Sequence, residues 1–314
     1  MESTEKSYPF VSIIIIVLNM AEFIGTCLSS LNSLDYPKDK YEIIVVDGGS
    51  TDKTVPICEG FGVKLIVESR KGRGIARNVG VAKSQGDIIA FIDADCAASR
   101  DWLSVHVENH REISVGAVGG SVTNPYISRS TLPAILSHYD NFGEFDEKLP
   151  KRTFYHIPTC NASYKRKVLF AAQCFDDKLD QYEDFLLSKK ITNSGYLVIF
   201  DPKARVTHFG VPPTMTLNEY LTKERKLGAA HFMAQVSYKF IFGRLPMGKK
   251  MVILFSPMIV FSRATRELYK MLRVRRRASD IYAIPILVMG SVNWALTYVH
   301  LSRALGAKFR VGTK

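Results

Sequence analysis

The chain has 314 residues, room for one large α/β domain with an appendage or for two medium domains. Hydrophobic residues make up 46% and charged residues 23%, which excludes a disordered chain and one embedded in a membrane along its whole length. Lys and Arg outnumber Asp and Glu by 42 to 30, a net charge of +12 that suits a phosphate-bearing partner, an anionic membrane face or nucleic acid.

The N-terminal MESTEKSYPF carries charges and no apolar core, so no signal peptide is expected to export the rest of the chain. Four short β-branched runs come next: Val11–Leu18, Tyr41–Asp47, Val63–Glu68 and Asp87–Asp93. Such continuous apolar runs suit strands covered on both faces. Between them Phe23, Cys27, Leu31 and Leu34 recur at helical spacing, and Gly74–Ser84 reads as a helix stopped at Gly86. Strand alternating with helix implies a parallel sheet with right-handed crossovers, whose ligands bind beyond the carboxyl ends of the strands. Further strands are expected at Ala117–Thr123 and Tyr196–Phe200. From Thr214 a long helical pattern runs on, and after Gly243 two apolar blocks, Met251–Phe261 and Ile281–Leu301, flank a stretch holding Arg263, Arg266, Lys270, Arg273, Arg275, Arg276 and Arg277. The five cysteines, Cys27, Cys58, Cys96, Cys160 and Cys174, form no C-x-x-C pair and no zinc spacing, so reduced thiols are expected.

Chemistry-bearing residues fall at the expected strand ends. Leu18-Asn19 closes the first strand and Asp47-Gly-Gly-Ser-Thr-Asp52 the second; Asp47 fits an acceptor for a base or ribose, and the same residues fit a plain turn. Gly72-Arg73-Gly74 is not a dinucleotide fingerprint, because its third position is Arg77. Arg73 and Arg77 at a helix start would hold a diphosphate, or stand as solvated surface cations. Asp93-Ala94-Asp95 ends the fourth strand with two carboxylates, of which the second would bind a hard cation or cap a helix. Glu183-Asp184 heads an apolar helical run, where Asp184 serves as a general base or as a dipole-complementing group. His208 reads as a metal ligand or a core histidine.

Taken in order, these stretches resemble glycosyltransferase family 2, inverting enzymes with a GT-A fold. The resemblance runs from about Val11 to His208 through Asn19 with Glu22, VVDGGSTD, GRGIARNVG, GDIIAFIDAD, TCNASYKRKVL and Glu183-Asp184. It implies a mostly parallel α/β sheet flanked by helices, a nucleotide sugar (a GDP- or UDP-hexose) as donor, and Mg²⁺ or Mn²⁺ as cofactor. Asn19, Glu22, Asp47, Arg73, Arg77 and Asp93 would take the nucleotide, Asp95 and His208 the metal, and Asp184 would be the catalytic base. Cys160, Asn161, Glu183 and Arg225 would face the acceptor or the diphosphate. Gly48 stands where many relatives carry a second Asp, and of the Gln-x-x-Arg-Trp signature of membrane-bound members only Arg225 corresponds.

The implied organisation is a catalytic domain over 1–213, an amphipathic helical connection over 214–250, and membrane-associated helices over 251–314. Ile281–Leu301 is free of charge and reads as a span or a core helix, while Met251–Phe261 suits an interfacial helix. The intervening basic residues place the catalytic part on the cytoplasmic side, and their position between apolar blocks favours membrane over nucleic acid. A membrane-held transferase with a base points to a lipid-linked saccharide acceptor, with mannose from GDP-mannose and N-glycan assembly as the leading expectation. A polyprenyl-phosphate sugar synthase, a polysaccharide synthase and a non-catalytic basic membrane-peripheral binding protein are the alternatives.

Overall fold

The first three apolar runs pair as parallel strands β1 (Val11–Val17), β2 (Tyr41–Asp47) and β3 (Lys64–Val67), and β4 (Ile88–Ile92) lies parallel to β1 on its other side. Helices α1 (Ile24–Asn32), α2 (Thr54–Gly60) and α3 (Arg73–Lys83) form the crossovers. Helix α1 buries Ile24, Cys27, Leu28 and Leu31; of the expected stripe Cys27, Leu31 and Leu34 are buried, and Phe23, just before the helix, is half-buried. Helix α3 rides close on β1, because a Cβ at Gly80 would come within 2.6 Å of Ile14. The computed structural model describes residues 8–179, 181–237, 261, 263–266, 268–272 and 283–311. The chain divides into two units, Met1–Pro125 with Phe145–Gly210, and Tyr126–Glu144 with Val211–Lys314.

In the first unit the sheet is mixed rather than mostly parallel. Its order is β3-β2-β1-β4-β8-β6-β9-β5, with β7 paired to β9. Strand β8 (Asn161–Lys165) runs antiparallel between β4 and β6 (Val115–Thr123), while β9 (Leu197–His208) is parallel to β6. The β8 sequence, NASYK, lacks an apolar run, so nothing marked it as a central strand. Its buried Ser163 is nevertheless met, since Oγ lies 2.8 Å from His106 Nδ1 and 2.8 Å from His110 Nε2, both on α4 (Trp102–His110), whereas the buried Tyr164 hydroxyl has no hydrogen-bond partner among the described residues. Strand β9 outruns its expected end at Phe200. Its pairing with β6 jumps from Asp201 to Arg205 between Gly120 and Ser121, so residues 202–204 bulge and the strand resumes toward His208. Two short strands, β5 (Cys96–Ala98) and β7 (Arg152–Thr153), pair antiparallel with β9.

The second unit is helical where described: α5 (Leu132–Phe142), α8 (Leu217–Ser237), α9 (Ile284–Val311) and helical residues within 261–272. Helices α6 (Arg166–Ala171) and α7 (Glu183–Asn193) belong to the first unit. Ile135, Leu136, Tyr139, Tyr220, Ala264, Met271, Ala283 and Leu287 make the helical core. Inside it Arg263 Nη2 donates to Glu224 Oε2 at 2.6 Å and lies 3.4 Å from Asp140, and Asn293 Nδ2 donates to the Leu221 carbonyl. Residues 238–260, Arg273, Arg275–Arg277 and Ile281 lie outside the described residues, and with them most of the first apolar block. Among the described residues no helix is long and apolar enough to cross a membrane.

Candidate active site

The carboxyl ends of β1 and β2 are joined by a net of local hydrogen bonds. Asn19, at φ 54°, accepts the Thr51 N–H on Oδ1 at 2.8 Å and donates its own N–H to Ser50 Oγ at 2.8 Å. Its observed work is to hold the loop after β2. Asp47 Oδ2 accepts the Gly49 and Ser50 N–H groups, each at 2.9 Å, while Oδ1 is buried without a partner among the described residues. A buried carboxylate oxygen in that state is an acceptor for a donor group of a ligand. Asp52 accepts from Thr54 and Ala21, and the Thr54 hydroxyl chiefly holds its carboxyl below the ordinary value. Glu22 is exposed on the turn before α1.

Beyond β4, the side chains of α3 and α7 close on one another. Arg73, exposed at the first position of α3, pulls on the Asp95 and Glu183 carboxyls, both of which burial chiefly raises above their ordinary values against that pull. Arg77, one turn deeper on the same face, is buried; its Nη1 donates to Glu183 Oε1 and its Nη2 lies 3.9 Å from Asp93. Burial and the adjacent Asp184 push the Glu183 carboxyl up to about 7 against the pull of Arg77. Asp184 is half-buried in the first turn of α7, where the helix dipole favours an anion, and its Oδ1 accepts the Phe185 N–H at 2.7 Å. Before it Tyr182 holds φ 67°, a left-handed conformation costly for an aromatic residue.

Asp95 and His208 approach from β4 and the end of β9, with Oδ2 and Nε2 3.6 Å apart. His208 Nδ1 accepts the Gly210 N–H, which turns Nε2 toward the carboxylate. Gly210 permits this approach, since a Cβ there would fall 1.9 Å from Asp95 Oδ2. Two donors at this spacing suit one cation with bonds of about 2.1 Å, so Asp95 and His208 fit Mg²⁺ or Mn²⁺. Cys96 completes a trio whose donor atoms lie within 4.8 Å of one another. Its thiol is pushed well up by burial, and a protonated thiol is a poor ligand for a hard cation. The Cys160 thiol, pulled down by its hydrogen bond with Cys96, is raised overall by burial and by the charges of Asp93, Asp95 and Asp184.

Five of the expected site residues make contacts within the chain. Asn161 is fully buried: Nδ2 donates to the Ser121 and Ala204 carbonyls and Oδ1 accepts from Trp102 Nε1 and faces His106 Nε2, all within 3.0 Å. With its hydrogen-bonding capacity spent on the core, it has none for an acceptor or diphosphate. Cys160 is buried at 3% exposure beside Cys96. Glu183, 4% exposed, is paired with Arg77, and Arg77 reaches from Glu183 toward Asp93. Arg225 belongs to the second unit, exposed on α8 with Nη2 reaching Thr222 Oγ1 at 3.5 Å. Gly210 and Tyr182 went unread, because a lone glycine or tyrosine carries no pattern until its backbone angles and neighbours are known.

A sheet with parallel β1–β4, an Asp-x-Asp at its carboxyl rim and a histidine brought beside the second Asp defines a GT-A-like α/β fold. The chain belongs to glycosyltransferase family 2, whose family model matches residues 12–170. It is 34% identical over 231 residues to glycosyltransferase AglE of Haloferax volcanii, covering 71% of this chain and 73% of that protein. It is 22% identical over 299 residues to the dolichyl N-acetyl-α-D-glucosaminyl phosphate 3-β-D-2,3-diacetamido-2,3-dideoxy-β-D-glucuronosyltransferase of Methanococcus voltae, covering 89% and 92%. Among solved structures, the mannosyltransferase PcManGT from Pyrobaculum calidifontis in complex with GDP-Man and Mn²⁺ superposes with a TM-score of 0.59 at 20% identity, over 98% of this chain and 81% of that one. S. aureus TarS 1-349 in complex with UDP gives 0.52 at 16%, over 97% and 92%. At these identities the structural likeness speaks for the fold.

Proposed function

We propose that this protein is an inverting, metal-dependent glycosyltransferase that moves a hexose from a nucleoside diphosphate to a hydroxyl of a lipid-linked saccharide at a membrane surface. The observation that carries the reading is the Asp95–His208 pair, 3.6 Å apart, with Asp184 next to Glu183, which Arg77 links to Asp93. Asp47 Oδ1 would take the nucleoside, and Arg73 the diphosphate charge. A bound Mg²⁺ or Mn²⁺ would offset charge on the departing diphosphate. Asp184 takes the proton of the acceptor hydroxyl as that oxygen bonds to the anomeric carbon. The bond from that carbon to the diphosphate oxygen breaks, and its electron pair leaves with the nucleoside diphosphate, inverting the configuration.

The lipid-linked acceptor is supported by the Methanococcus voltae relative, whose name gives a dolichyl-phosphate-linked sugar as its substrate. Mannose from GDP-mannose is proposed as donor, supported by the complex of the structural neighbour, and a role in N-glycan assembly goes with it. Membrane contact is supported by α9, where Ile284, Val288, Met289, Val292 and Leu296 are exposed at near-helical spacing. The test is a donor screen by the full-length protein on liposomes carrying a polyprenyl-diphosphate-linked disaccharide, with GDP-mannose, UDP-glucose and UDP-GlcNAc and added Mn²⁺. One donor should be consumed, EDTA should stop it, and the protein should float with the liposomes. Turnover indifferent to EDTA, or protein left at the bottom of the gradient, rejects the corresponding part.

A further inference from the structure

Directly after Asp184 the fold assembles a set of aromatic rings that the transfer chemistry leaves unused. Phe185 lies 5.6 Å from His156 and 6.2 Å from Tyr155 between ring centroids. Tyr155 is in turn 4.7 Å from His156 and 4.4 Å from Phe154. Phe145 backs the group from beneath, 5.3 Å from His156 and 5.5 Å from Phe154. Phe145 is 1% exposed and Tyr155 51%, so the cluster is rooted in the core at one end and open at the other. A tyrosine held by ring contacts yet half exposed gives the fold little burial for its size, whereas a ligand stacked on it would complete that burial.

Position decides which ligand. Asp47 ends β2 and Asp93 follows β4; Arg77 joins Asp93 to Glu183, and Asp184 and Phe185 come next along α7. The strand that leads into Phe154–His156 is β7, paired to β9 on the half of the sheet remote from β2. The rings therefore stand beside Asp184, on the side away from the Asp47 end of the sheet, where an acceptor approaching Asp184 would lie. The axial C–H face of a pyranose is apolar and faintly positive, and it stacks on the negative face of an aromatic ring while its equatorial hydroxyls stay in water. We propose that Tyr155, backed by Phe154, His156 and Phe185, is the stacking platform for a pyranose ring of the acceptor. The proposal rests on the glycosyltransfer reading.

The test uses the full-length protein in lipid nanodiscs, free of sugar-based detergent, with methyl α-D-mannopyranoside, methyl β-D-glucopyranoside and methyl β-N-acetylglucosaminide as probes. Saturation of aromatic protons should pass to the axial C–H protons of at least one glycoside. Tyr155→Ala should cut the transferred signal about three- to tenfold, Tyr155→Phe should keep it, and Phe170→Ala, an exposed ring on α6, should leave it unchanged. In turnover with the preferred donor, Tyr155→Ala should raise the acceptor KM by a similar factor and leave the donor KM and acceptor-free nucleotide release unaltered. No transfer to any of the three glycosides in wild type, an unaffected Tyr155→Ala, or a Tyr155→Phe as poor as the alanine variant overturns the platform. A rise in donor KM instead gives the ring to the nucleobase and overturns it as well. Saturation transfer by a protein that consumes no donor sinks the transferase reading, and the acceptor role with it, leaving Tyr155 a glycoside-binding ring; turnover independent of Tyr155 sinks the platform and leaves the transferase reading standing.

Discussion

Glu183 and Asp184 are neighbours in the chain with opposite surroundings. The first is 4% exposed and bound to a buried arginine; the second is half-buried, with one oxygen on the Phe185 N–H. Asp184 is the more accessible of the two and stands outside the Arg77–Glu183 ion pair, which is what a base needs. Asp184→Asn keeps the shape and cannot take a proton. With a sugar hydroxyl as acceptor, transfer should slow by about 10²–10⁴-fold while donor KM stays near wild type, measured with both substrates saturating. Wild-type-like turnover would instead favour a lipid phosphate as nucleophile, already anionic and in no need of a base. The acidic pair was legible from its place at the head of an apolar helix, but which member is buried was not, because Arg77 lies 106 positions away in sequence.

At the scale of the element, β8 is the instructive case. A strand flanked on both sides by other strands is expected to be apolar, yet its first residue is an asparagine with four partners: the Trp102 indole, His106 and the carbonyls of Ser121 and Ala204. Asn161 knits α4, β6 and the bulge of β9 together, and Gly120 makes room for it and for the Ala204 carbonyl, since a Cβ there would fall 2.6 Å from Asn161 Nδ2 and 1.8 Å from the Ala204 oxygen. Asn161→Ala should therefore lower unfolding stability by about 3 kcal/mol or more, because two buried carbonyls and the indole N–H lose partners at once. Denaturant titration checks this. Unchanged stability with lost transfer would restore Asn161 to the acceptor site. The stretch was recognisable as a family motif, but its polar residues gave no strand signal, since the burial that makes them costly to remove comes from distant segments.

Across the whole molecule, buried titratable groups set an acid limit. Burial chiefly lowers His106 from 6.5 to about 4 and His110 from 6.5 to about 3. Below pH 6.5 the unfolded chain binds their protons while the folded chain does not, so their contribution, whole above 6.5, is lost as pH falls. Glu183 and Glu224 act in the other direction: burial raises both from 4.5 to about 7, so their contribution is whole below 4.5 and lost as pH rises through 7. Between 4.5 and 6.5 the pairs oppose one another; below 4.5 the histidines act without that counterweight. The thermal midpoint should stay nearly level from pH 6.5 to 4.5 and fall steeply toward pH 3, as scanning calorimetry would record. A decline that begins near pH 6 would contradict this balance.

By itself the sequence determined the parallel half of the sheet and the rim carboxylates Asp47, Asp93 and Asp95, because β-branched runs, helical spacing and strand-end positions are local signals that survive without knowledge of neighbours. Only the tertiary structure decided that the sheet is mixed, that Arg77 closes on Glu183, and that His208 meets Asp95. It also decided that Tyr126–Glu144 joins the C-terminal helices instead of the sheet. Each of these depends on contacts between segments far apart in the chain, and such contacts are set by which buried polar and charged groups must find partners, a constraint that no short window of residues contains.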